Sequence, residues 1–528
     1  DGTLAFTGTV ADVNAALAAL DYTGDQDFNG FDALNITVDD QGNTGAGGAL
    51  VDSASVVIDV AAVNDIAEIG GVATGDVNED GGVISNKLTA FDGAANDYLG
   101  YNSAVSADGS IFVVGSYAND AGATDAGAAY VFDRDGSLVA KLVAPDGAAS
   151  DLFGWDVDVS ADGGTIVVGA REDDDAGSSS GSVYVFSRDG SYVTKLTASD
   201  ASSGDRFGIS ASVSGDGNTI VVGAYLDDVG GSNTGSAYTY RYDGTSWQQE
   251  QKLVAFDAGS SDYYGISTAV SDDGGTIVVG AYLNDDTATN TGSAYVYNAD
   301  GSLVTKLTAF DAALSDWFGE SVSVSGDGNT IVIGARLDDD GGASNSGSAY
   351  VYNRDGSLVR KLTAPDGVNN DYLGFSTAVS ADGTIIVLGA FGDDDKGSSS
   401  GSVYVFNRAG VLLSKLTAAD GAAGDQFGFS VSVSADGSTI LTGARLDDDN
   451  GINSGSAYVF NLNRDGNFVD FEGNIYGPTG IIGTQALDSD PVASGQLTIT
   501  DADTGEATLQ AIAAGTAGDN GYGSFEGS

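Results

Sequence analysis

The sequence predicts an all-β protein built on a seven-bladed β-propeller, and three observations predict it. A lysine followed by leucine returns at Lys87, Lys141, Lys195, Lys252, Lys306, Lys361 and Lys415, in steps of 54, 54, 57, 54, 55 and 54 residues. A fixed period of this size marks a solenoid, propeller or array. Within each unit, short runs such as TIVVGA, GSVYVF and YVTKLTA are rich in Val, Ile, Tyr and Phe, which suits strands and is too short for a helix. Asp-Gly pairs such as Asp162-Gly163 and Asp189-Gly190 supply the positive φ of tight hairpins. Four antiparallel strands with short links make one blade, and seven blades close a ring.

Each unit starts at a Phe-Gly position or its variant: Leu99-Gly100, Phe153-Gly154, Phe207-Gly208, Tyr264-Gly265, Phe318-Gly319, Leu373-Gly374 and Phe427-Gly428. The second strand ends in VGA or a variant, the third carries a tyrosine, and the fourth ends in KLTA. One KLTA strand precedes the first Phe-Gly, so Ile84 to Ala90 is expected to cross over and complete the last blade. Asn467 to Glu472, after the Asp465-Gly466 turn, is the alternative. Such closure hides a sheet edge that would otherwise invite pairing with other chains.

The pairing of FG with a downstream VGA, as in FGWDVDVSADGGTIVVGA, resembles the FG-GAP repeat of integrin α-subunit propellers and of many bacterial surface proteins. The resemblance spans roughly Ile84 to Phe460 and implies a fold, not a function. Integrin blades that hold calcium do so between the first two strands, in a DxDxDG pattern. Here that hairpin is SADGGT or SGDGNT, too short to wrap a cation, so those sites do not carry over.

At 528 residues the chain is expected to hold two to four domains. A net charge of −57 argues against nucleic acid and anionic membrane as partners, because phosphate recognition needs a basic face. There is no cysteine and no histidine, which excludes disulfides, thiolate or imidazole metal sites and a Ser-His-Asp triad. No apolar run reaches membrane-spanning length. The opening at Asp1, within a strand-like pattern, reads as part of something longer, so the lack of a signal peptide says nothing about export.

Four segments are expected. Residues 1–65 carry TLAFTG, a short helical stretch at Ala11 to Leu20, ALNITVDD and SASVVIDVAAVND, and are similar to cadherin-like or Ig-like sandwiches of giant bacterial adhesins. Residues 66–83 resemble the opening of a VCBS repeat, 84–466 form the propeller, and 467–528 resemble the rest of the VCBS domain. The propeller is therefore expected to be inserted in a β-sandwich, which neighbouring termini make easy. In that resemblance, carboxylates near module junctions hold calcium, and Asp65 matches such a position.

The acidic residues of the ring fall in two recurring groups. The loop into each blade carries Asp92 and Asp97, Asp146 and Asp151, Asp200 and Asp205, Asp257 and Asp262, Asp311 and Asp316, Asp366 and Asp371, and Asp420 and Asp425. The loop after each VGA carries Asp120, Asp174, Asp228, Asp285, Asp339, Asp394 and Asp448, each preceded by Asp or Asn, including Asp173, Asp227, Asp338, Asp393 and Asp447. In an up-and-down blade both loops leave from one side, so the carboxylates are expected to converge. Their repulsion opposes folding unless relieved, and calcium is a natural relief because it accepts six to eight oxygens. Only eight of the 76 acidic residues are Glu, and Asp suits calcium loops and turns alike. The competing reading has each Asp capping a turn over a hydrated face.

The third-strand tyrosines, Tyr130, Tyr184, Tyr238, Tyr295, Tyr350, Tyr404 and Tyr458, recur in every unit and so are expected to pack between blades. Trp155, Trp247 and Trp317 break the repetition and are the better candidates for sugar or peptide contact. The favoured function is a non-catalytic, calcium-stabilised adhesion or ligand-binding module of a large secreted bacterial surface protein, meeting a glycan or protein ligand. A spacer or assembly unit of an extracellular fibre or layer is the alternative. SADGGT partly resembles the Asp-box turn of sialidases, and paired carboxylates cleave glycosides in other proteins, so a glycosidase is the remote third reading.

Overall fold

In the computed structural model, the described residues are 86–286, 288–462, 467–470 and 474–484, with short strands at 30–39, 51–60, 69–70, 498–499, 516–517 and 524–525. The second repeat shows the pattern. Phe153–Val159, Thr165–Ala170, Ser182–Ser187 and Tyr192–Leu196 pair antiparallel in chain order. Its two middle strands are buried along almost their whole length. That explains why TIVVGA and SVYVF read as continuous apolar runs and not as alternating ones: sheets cover both of their faces. The outermost strand begins exposed and becomes buried only at Leu196.

Repeats one to six each build such a four-stranded blade. The seventh departs from the expected equality. Its strands Phe427–Val433, Thr439–Ala444 and Ser456–Leu462 belong to a seven-stranded sheet. Its outer place is shared by the two segments that the sequence offers as alternatives. Leu88 and Lys87 pair with Ala457 and Tyr458, while Val469 and Phe468 pair with Asn461 and Leu462. The sheet continues through Asn474–Gly477 and Gly480–Thr484, past the boundary expected at 466.

Accordingly Val83–Leu487 is one compact unit, and Asp1–Gly82 with Asp488–Ser528 is another. In the latter, Gly30–Asp39 pairs antiparallel with Val51–Val60, and Ile69–Gly70 pairs with Thr498–Ile499. TLAFTG, the stretch Ala11 to Leu20 and Asp65 lie outside the described residues. One 3-10 turn, Asp340–Gly342, is the helical structure among the described residues, none of which forms a helix able to cross a membrane.

The repeats close on themselves at three levels. Around the axis, at the turns joining first and second strands, Ala107 N–H donates to Ala161 O, Ala161 to Gly215 O and Asp216 to Asp272 O. The circuit continues from Asp272 to Gly326 O, Asp327 to Ala381 O and Ala381 to Ala435 O, and returns from Ala435 to Ala107 O at 2.9 Å. Bridges link each third-strand glycine to the next Phe-Gly position, from Gly127 with Phe153 round to Leu99 with Gly455. The apolar core lies between blades: one cluster joins Val113 and Val131 of the first repeat to Phe153 and Tyr184 of the second, and another joins Leu441 and Val459 of the seventh to Phe112 and Tyr130 of the first.

Candidate functional site

The loops into each blade and the loops after each VGA do meet, as the connectivity predicts. What stands between their carboxylates is the KLTA lysine. Lys195 Nζ lies 2.9 Å from both Asp146 and Asp173 and also contacts Asp175. Lys415 repeats this with Asp366, Asp393 and Asp395 at 2.8, 3.0 and 2.6 Å, and Lys361 with Asp311 and Asp338 at 2.8 Å. Lys252 joins Asp200 and Asp227, and Lys306 joins Asp257 and Asp286. In the seventh repeat Lys87, arriving from the other end of the chain, takes the same place against Asp420, Asp447 and Asp449.

The recurring tyrosine completes each group from below. Tyr184 donates to Asp146 or Asp173, both at 2.7 Å, and Tyr130, Tyr238, Tyr295, Tyr350, Tyr404 and Tyr458 reach the corresponding aspartates. The rings are buried between blades, as expected; the hydroxyl's partner was not foreseen. Tyr184 sits directly across from Lys195 in the strand register, and Tyr458 across from Lys87. The signal lay in the sequence: the lysine that marks the period is itself the counter-ion.

The remaining predicted ligands do different work. Asp97, Asp151, Asp205, Asp262, Asp316, Asp371 and Asp425 each accept the N–H three residues upstream, from Ala94 through Ala422, at 2.6–2.9 Å. Asp120, Asp174, Asp228, Asp285, Asp339, Asp394 and Asp448 each accept an N–H from the residue that turns the loop with positive φ, from Asp125 to Asn453. Both are Asx-type locks.

The two aspartates of each entry loop titrate in opposite directions. Burial pushes Asp97 and its equivalents up, Asp316 and Asp371 to about 6. For Asp92, Asp146 and Asp366 burial acts the same way, but hydrogen bonds from the lysine and tyrosine outweigh it and hold them below the usual range.

Nearer the axis, where the first strands begin beside the loops after VGA, the repetition ends. Trp155 and Tyr101 rings lie 4.5 Å apart, Tyr101 and Phe429 5.1 Å, Phe429 and Phe375 4.5 Å. Guanidinium groups stack on them: Arg171 on Trp155 at 3.2 Å, Arg445 on Phe429 at 3.8 Å, Arg336 on Trp317 at 4.7 Å. Arg206 closes the circuit through Tyr225 at 2.7 Å and Glu172 at 3.0 Å. Trp317 Nε1 is buried with no hydrogen-bond acceptor. Two of the three singled-out tryptophans thus lie on this collar; Trp247 lies on an outer strand against Tyr242.

The FG-GAP repeat family pattern matches residues 85–132, 137–186, 191–240, 247–297, 302–352, 357–406 and 411–460, more than half of the chain. The chain belongs to the FG-GAP repeat family. FG-GAP propellers are in general binding or structural folds. No curated protein matches the sequence. Among solved structures, the crystal structure of Saccharomyces cerevisiae Sqt1 is similar at 13% identity and a TM-score of 0.42, covering 72% of this chain and 87% of that one.

In this FG-GAP ring the two halves of the motif meet across blades. A Cβ on Gly169, from VGA, would run into the Gly208 carbonyl of the next Phe-Gly, and Gly443 meets Gly100 in the same way where the ring closes. Below the collar, Asp156 and Asp158 accept N–H bonds from Ala211 and Val213 of the next blade at 2.6 and 2.8 Å. Burial drives Asp156 up to about 8 and Asp158 to about 6.

For a metal, the best-disposed group is Asp420, Asp447 and Asp449, whose oxygens lie within 4.8 Å of one another. The Lys87 ammonium stands at 2.7, 2.9 and 2.5 Å from them. The repulsion that made calcium attractive is therefore relieved in part by the chain's own lysine.

Proposed function

We propose that this FG-GAP ring is a non-catalytic ligand-binding module serving adhesion in a large secreted bacterial surface protein, and that its ligand carries acidic groups. One observation carries the reading. The axial collar gathers Arg171, Arg206, Arg336 and Arg445 among aromatic faces, on a chain whose net charge is −57. Outside it, the lysine, tyrosine and aspartate positions of the face recur from blade to blade, save for Asn119 and Asn284, and a recognition site must break that symmetry. Guanidinium groups beside aromatic rings suit carboxylate-bearing sugars or acidic side chains. Arrays of acidic and neutral glycans and peptides test this: binding should favour acidic members and fall at least tenfold in Arg445→Ala. Blank arrays favour the alternative, a spacer or assembly unit between further modules of the same chain. Turnover of chromogenic glycosides would overturn the non-catalytic reading.

Calcium stabilisation is supported by the many carboxylates that have no lysine, such as Asp97 and Asp120. Melting with millimolar calcium against chelator is the test. A rise with calcium is expected, and superimposable curves would remove the ion from the account.

A further inference from the structure

Two of the seven lysine groups differ in kind. Where the others place an aspartate, the first and fourth repeats place Asn119 and Asn284. Lys141 Nζ donates to Asn119 Oδ1 at 2.9 Å, and Asn119 Nδ2 donates to Asp97 Oδ2 at 2.8 Å. In the fourth repeat Lys306 donates to Asn284 Oδ1 at 3.2 Å, and Asn284 Nδ2 to Asp262 at 2.9 Å. These opposite partners fix which end of each amide is oxygen. Asn119 and Asp97 are each 4% exposed, and Asn284 and Asp262 are 3% and 4% exposed.

We propose that Lys141 and Asn119 join through a side-chain amide bond, and that Lys306 and Asn284 do likewise. A neutral carboxamide is an electrophile where an ionised carboxylate is not, which confines the reaction to these two repeats. Asp92, 2.6 Å from Lys141 Nζ, takes a proton from the ammonium and frees the lone pair. The amine attacks Asn119 Cγ and forms the new C–N bond. Asp97, which accepts a hydrogen bond from the leaving nitrogen, takes the proton shed by the attacking nitrogen and passes it to the leaving one. The old C–N bond breaks, and the departing ammonia takes the first proton back from Asp92 and leaves as ammonium; nothing is oxidised or reduced. Asp257 at 2.6 Å and Asp262 fill these roles in the fourth repeat. The bond would tie the outermost strand to the loop after VGA, so that neither blade could shed its edge.

Intact-mass measurement of the denatured full chain tests this. The mass should fall below the sequence mass by one ammonia per bond, two in all, and a digest should yield a branched peptide joining the segments around Asn119 and Lys141. Lys141→Arg should restore one ammonia and abolish that peptide. Asp97→Asn should do the same while the circular dichroism spectrum is retained. A wild-type mass equal to the sequence mass would overturn the proposal. So would an ammonia deficit unchanged by Lys141→Arg, which would mark cyclisation of an asparagine elsewhere.

Discussion

At the scale of single residues, charge is managed by pairing each carboxylate cluster with one cation and one phenol. Lys195→Met leaves Asp173, which is 3% exposed, without its counter-ion. Removing one partner of a buried pair costs about 3 kcal/mol, and urea unfolding should show a loss of that order, partly recovered in Lys195→Met with Asp173→Asn. Asp156 sets a pH dependence of known sign. Its folded pKa, about 8, lies above the ordinary 3.8, so its contribution is full below 3.8 and is lost as the pH rises towards 8. Asp156→Asn keeps an oxygen for the Ala211 N–H, so its melting temperature relative to the parent should climb steadily between pH 4 and pH 8. The acidic positions were legible in the sequence. Their partners were not, because the lysine is 49 residues from Asp146 and only the pairing of strands across a blade brings them together.

At the scale of elements, the repeat is a device for setting one sheet on the next. The strands, their order and their hairpin turns were legible because Asp-Gly turns and short β-branched runs are local signals. The contact that gives the repeat its motif is not local. Gly169 has nothing unusual in its own backbone; it must be glycine because the next blade's backbone lies where a side chain would be. Gly169→Ala should therefore destabilise by about 1–3 kcal/mol, as overpacking does. Gly424, with φ of +98 and open space around it, should lose only ~1 kcal/mol on the same change, from backbone strain alone. Thermal unfolding of the two variants side by side checks the order, and equal losses would contradict the packing account.

At the scale of the whole molecule, closure is shared between the two ends of the ring. Leu88→Pro removes an N–H donor at the edge of the seventh repeat. Hydrogen exchange should then quicken at Ala457 and Tyr458, which pair with Leu88 and Lys87, while Asn461 and Leu462, held by Val469 and Phe468, stay protected. If both pairs open together, the two closing segments act as one clasp, and the division of labour is wrong.

By itself the sequence determined the period, the all-β class, the ring and the face on which the acids gather, because each follows from short-range pattern repeated seven times. Tertiary structure decided what those acids do and where the symmetry breaks. The cations that neutralise them, the glycines that admit a neighbouring backbone and the aromatic collar at the axis are contacts that only paired strands and stacked blades bring together, some within one repeat and some a full repeat apart, and no local signal carries them.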